Sequence, residues 1–209
     1  MNIPTHATKP GFLLIDLPSK HEIVHSLSTE CDVVEAILHN RGLAKRITHM
    51  RLASAKELDG KTPARVDVRF VHLAGHADKN GIGFLRGGMP WQRIAEHITR
   101  YLCPLGDERR VMVFSCCHSR DGFEATKHIF RRHFTAAYLF NEVEVDFCDA
   151  ITVWAMFYFR KTVSNPHMRI VDPINEFFGD EVLQFRRYDK IGPISRITTQ
   201  DPRPRRVAR

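Results

Sequence analysis

The stretch RRVMVFS (109–115) constrains this chain more than any other segment. From Val111 to Phe114 it is apolar without a break, so it has no polar side to turn towards water. Strands of that kind are buried on both faces and belong to parallel sheets covered by helices on each side. GFLLIDL (11–17) and AAYLF (136–140) have the same character. VDVRFVHLA (66–74) adds β-branched and aromatic residues, and KRITHMRLAS (45–54) is a further strand candidate.

Helical spacing fills the intervals. Ser19 and Glu22 have the spacing of a capping box; Ile23, Val24, Leu27, Cys31, Val34 and Leu38 then recur at helical intervals until Gly42. ADKNGIGFLRGG (77–88) reads as a turn, a short strand and another turn. Pro90 suits a first helical turn, followed by Trp91, Ile94, Ala95, Ile98 and Leu102 on one apolar face. DGFEATKHIFRRHF (121–134) is an amphipathic helix and DFCDAITVWAMFYFRKTV (146–163) a mostly buried one. The alternation implies an α/β fold, a three-layer sandwich with a mostly parallel central sheet and helices on both faces.

A chain of 209 residues suits one such domain. The expected layout is an N-terminal extension at 1–10, the domain at 11–190 and a basic tail at 191–209. The formal charge of +7 is concentrated at the end. Residues 185–209 hold eight Lys/Arg against two Asp/Glu, which leaves the first 184 residues at +1. Nucleic acid is therefore an expected partner only through the tail, whose simplest role is a solvated end. The longest apolar run, ITVWAMFYF, is about half of what a membrane span needs, and the N-terminus shows no signal-peptide pattern. Five cysteines, two of them adjacent, argue for reduced thiols rather than a disulfide framework. A cytoplasmic protein without membrane partners is the expectation.

Ligands in open α/β sheets collect at the carboxyl ends of strands. The strand at 66–74 runs into Gly75-His76-Ala77-Asp78, and the strand at 109–115 runs into Cys116-Cys117-His118-Ser119. If the two strands are parallel neighbours, His76 and one cysteine share a sheet edge, as a thiol nucleophile and its general base require. Consecutive residues of an extended chain face opposite ways, so Cys116 is expected to pack inward and Cys117 to face the cleft. Ser119 or Asp121 can cap a helix beginning near 121, and its N-terminus would favour the Cys117 thiolate.

HLAGHADKNGIGF, followed by VMVFSCCHSRDG with Cys117 placed 41 residues after His76, resembles the caspase-like cysteine peptidases, metacaspases and bacterial CHAT domains in particular. DFCDAITVWAMFYF is similar to the closing CHAT-domain pattern of an acid, small and apolar residues, then Phe-Tyr. The resemblance covers about residues 66–160 and implies a caspase-like sandwich holding a Cys–His dyad. Cys117 is the implied nucleophile, His76 the implied base, and the N–H groups of Ala77 and Cys117 the implied oxyanion hole. Ser115 stands where metacaspases carry an acid that holds a basic substrate residue. Arg120 stands where a glycine follows Cys-His-Ser, and it offers a cation to an acidic substrate residue. Ala77 stands where a glycine usually follows the histidine, and a positive φ there would strain it. The implied partner is a protein or peptide substrate, with any activator a separate chain. No cofactor is implied.

Other readings remain open on the residues alone. His76 could be a structural loop histidine and Cys117 an inert thiol. His72, His76, Cys116, Cys117 and His118 are metal-ligand types, though no C-x-x-C or helical His pair frames them. A caspase-like interaction module without activity would keep the fold, and Ala77 and Arg120 favour it.

Overall fold

A computed structural model of the chain describes residues 11–18, 29–60, 65–103, 110–160 and 167–188. Strands β1 (Phe12–Leu17), β2 (Ile47–Arg51), β3 (Phe70–Gly75), β6 (Val111–Ser115), β7 (Ala136–Phe140) and β8 (Leu183–Arg187) form one sheet in the order β2-β1-β3-β6-β7-β8. The first five are parallel and β8 runs antiparallel at the edge. A two-stranded hairpin, β4 (Gly81–Gly83) and β5 (Gly88–Pro90), stands apart from it.

Alternation along the strands divides the core. Leu13, Ile15, Val71, Leu73, Met112 and Phe114 face a layer that contains α3 (Trp91–Arg100) and α4 (Ser119–Phe130). Leu14, Phe70, Val113 and Tyr138 face α1 (Glu30–Asn40), α5 (Phe147–Arg160) and α6 (Met168–Phe178). A short helix, α2 (Ala55–Gly60), adds Leu58 to the first layer. The chain is thus an α/β three-layer sandwich with a mostly parallel central sheet, consistent with the caspase-like arrangement. Among the described residues, no helix is long and apolar enough to cross a membrane.

Several boundaries differ from the sequence reading. Among the described residues, α1 begins at Glu30, where Thr29 is extended and forms a capping box with Asp32. Ser19 and Glu22 lie outside the described residues, as do the expected extension at 1–10 and tail at 191–209. Gly42, at φ +70, ends that helical region as expected. β3 starts at Phe70 rather than 66, because Val66 bridges to Leu102 instead. α4 starts two residues before 121, with His118 as its N-cap. α6 and β8 were not anticipated.

Candidate active site

β3 and β6 pair in parallel, with Ala74 opposite Ser115 as the last matched pair. His76 and Cys117 each lie two residues beyond that pair, at the carboxyl ends of strands about 4.8 Å apart. Both line one cavity of about 200 Å³ whose walls include Asp16, Glu30, Ser115 and Asp146. The two residues paired by sequence reasoning are therefore brought together.

Local chain geometry sets each of them. Gly75 passes so close to β1 that a Cβ there would stand 2.8 Å from the Leu17 Cβ, so only glycine lets the strand end deliver His76 to this edge. Beyond it, Gly83 N–H donates to the His76 carbonyl at 2.7 Å and Asp78 N–H to the Gly81 carbonyl at 2.9 Å. The Asp78 carboxylate accepts from the Asn80 and Gly81 N–H groups at 2.7 and 3.0 Å, and Trp91 Nε1 donates to the Asp78 carbonyl at 3.1 Å. Those backbone N–H groups, with His118 nearby, hold the Asp78 carboxyl below the usual range. The imidazole of His76 is carried on an exposed but well-tied loop.

Ala77 pairs with Ile82 between those two ladder bonds, so its own N–H is not spent on the ladder. It does not have a positive φ, so alanine is accommodated there without that strain.

On the other side, β6 breaks into a tight turn. His118 is the one non-glycine residue with a positive φ among the described residues, at +53°. An αL conformation at a non-glycine residue costs on the order of 1–3 kcal/mol and persists where surrounding bonds enforce it. Here His118 N–H donates to the Val143 carbonyl at 2.7 Å, and its Nδ1 lies 2.8 Å from Asp121 Oδ2. The Gly122 N–H returns to the His118 carbonyl at 3.0 Å. Ser119 is buried and donates to the Phe140 carbonyl at 3.1 Å, so the helix has no side-chain cap of the expected kind. The turn sets Cys117, which is half-buried, just before the N-terminus of a twelve-residue helix.

Cys116 points the other way. It is 4 % exposed and packs into the α3/α4 layer. Burial, with Cys117 and Glu30 adding, pushes its thiol well above the ordinary value and keeps it protonated.

Ser115 lines the cavity, yet its hydroxyl is committed inward. It donates to Glu30 Oε2 at 2.6 Å and accepts from Trp154 Nε1 at 2.5 Å. The other Glu30 oxygen lies 2.5 Å from His72 Nε2, and His72 Nδ1 lies 3.0 Å from the Tyr158 hydroxyl. Arg120, in the first turn of α4, is half-buried and lines neither this cavity nor its neighbour.

Sequence reasoning missed Asp16 and Glu30. Asp16, 2 % exposed, accepts from Thr29 Oγ1 at 2.9 Å and Arg51 Nε at 2.8 Å. Its signal was a lone acid inside the apolar run FLLIDL; Glu30 gave none, because its partners are far away in sequence.

A second cavity of about 410 Å³ opens on the hairpin, with Ala77, Asp78, Ile82, Met89 and Pro90 in its walls. His76 lines both cavities.

Among the described residues, the His/Cys/Asp/Glu set whose ligand atoms converge within 4.8 Å is Asp32, Glu35 and His49. Arg51 already engages both Asp32 oxygens, at 2.7 and 2.8 Å. His72, His76, Cys116, Cys117 and His118 lie outside that set. Compared with known proteins, the chain matches no family model and no curated protein.

Proposed function

We propose that the chain is a caspase/CHAT-like cysteine endopeptidase working through a Cys117–His76 dyad. The observation that carries the reading is the placing of both side chains on one cavity, two residues beyond matched positions of parallel β3 and β6. The Cys117 thiolate attacks a peptide carbonyl, and the N–H groups of Cys117 and Ala77 receive the developing oxyanion. His76 gives a proton to the leaving amine as the C–N bond breaks. It then takes one from the water that releases the acyl group.

Asp16 and Glu30 are buried and already bonded, Asp16 to Thr29 and Arg51 and Glu30 to Ser115 and His72. The acid that favours a basic residue before the cut is therefore the exposed Asp146 of this cavity. Asp16, Glu30 and Asp146 line it, whereas Arg120 does not, so the acidic-substrate role considered for Arg120 has no support here. All five cysteines carry free thiols, which suits a reducing compartment such as the cytoplasm.

The test is digestion of a mixed peptide library, with the cut sites read by mass spectrometry. Cleavage after Lys or Arg that disappears in both Cys117→Ala and His76→Ala supports the reading. A library left intact by the wild-type chain overturns it in favour of an inactive interaction module, and cleavage that survives Cys117→Ala overturns it by removing Cys117 as the nucleophile.

A further inference from the structure

The hairpin cavity is separate from the cavity that holds Cys117, and His76 is the residue their walls have in common. In the proposed reaction His76 must protonate the leaving nitrogen, so that nitrogen lies on the imidazole side of the reacting carbonyl. The acyl part of the substrate then occupies the Cys117 cavity. The chain leaving with the nitrogen is carried past His76, towards the hairpin.

The hairpin offers that chain a built surface. Glycines at 81, 83 and 88 keep it low: a Cβ on Gly81 would come within 2.2 Å of the Met89 carbonyl oxygen, and one on Gly83 within 3.3 Å of the His76 carbonyl oxygen. Ile82 and Met89 are almost wholly buried, so the walls present apolar surface and backbone. The exposed acid in this lining is Asp78, fixed by its two backbone N–H bonds.

We infer that the hairpin cavity is the subsite for the residue after the scissile bond, and that Asp78 selects a basic side chain there. The inference rests on the peptidase reading and adds to it a specificity determinant on the leaving-group side. An apolar stem lies along Met89 and Pro90 while its cationic end meets the carboxylate.

The experiment uses quenched-fluorescent peptides identical up to the cut, with Lys, Ala or Glu after it. Weak attraction of Lys and weak repulsion of Glu by this exposed carboxylate together give a kcat/KM ratio of about 10-fold. Asp78→Asn keeps an oxygen acceptor for the turn and removes the charge, and it should bring the ratio close to one. Cleavage with no Lys preference, or a preference that persists in Asp78→Asn, overturns the inference and leaves the peptidase reading standing. Failure to cleave any peptide overturns the peptidase reading, and this inference with it.

Discussion

Replacing Ser115 with alanine separates two roles for a residue beside the nucleophile. The Ser115 side chain is 3 % exposed, and its hydroxyl joins the Glu30 carboxyl group to the Trp154 indole. Trp154 is fully buried and Glu30 nearly so, leaving water little access to either group once the hydroxyl is gone. An orphaned buried donor costs about 1–3 kcal/mol and a lost bond to an acidic group about 1.5–3 kcal/mol; with partial relaxation, Ser115→Ala should destabilise by about 2–4 kcal/mol. Urea unfolding followed by far-UV circular dichroism measures this directly. Trp154→Phe removes the indole N–H, so the double variant should be more stable than the sum of the two single effects by about 1 kcal/mol. Destabilisation below about 0.5 kcal/mol, the range of an ordinary surface change, would refute the reasoning. So would a changed substrate preference at unchanged stability, because the hydroxyl would then face the substrate.

Two other outcomes follow from the packing and charges. Cys116→Ala should cost about 1–2 kcal/mol through a small void in the α3/α4 layer and keep peptide cleavage, as denaturation and activity assays on the same sample would show. His49 has Nε2 3.6 Å from Asp16 and Nδ1 2.7 Å from Glu35; the Asp16 carboxylate chiefly, helped by Glu35 and opposed by burial, raises it above its ordinary 6.5. A raised folded-state value contributes stability fully present below the unfolded value and lost as pH rises through the folded one. Melting temperature should accordingly fall as pH rises from the ordinary 6.5 through the higher folded-state value, and the fall should flatten in His49→Gln; an unchanged slope in that variant would remove His49 as its source.

The sheet was legible because VMVF and AAYLF are unbroken apolar runs of strand length, and a strand's carboxyl end predicts where chemistry gathers. That is why His76 and Cys117 could be paired from sequence. The cavity's acids were not legible, because Glu30 meets Ser115 across 85 positions of chain and only the folded crossing joins them. Arg120 reads as a cleft residue by its place in the motif; the structure sets it in the first turn of α4, outside the linings of the two cavities described. β8 was hidden by composition. Arg186 and Arg187 counted towards a basic C-terminal stretch, and of its five residues only Leu183 is buried.

The central claim is that Cys117 is a nucleophile activated by His76, and a peptide-based acyloxymethyl ketone tests it most directly when the labelled site is mapped by mass spectrometry. Exposed Cys148 provides an internal control, since simple accessibility would make it the preferred target. The account predicts labelling at Cys117, absent in Cys117→Ala, unchanged in site in Cys116→Ala and at least about tenfold slower in His76→Ala. Labelling that falls on Cys148 or Cys116, or proceeds at the same rate without His76, would contradict it.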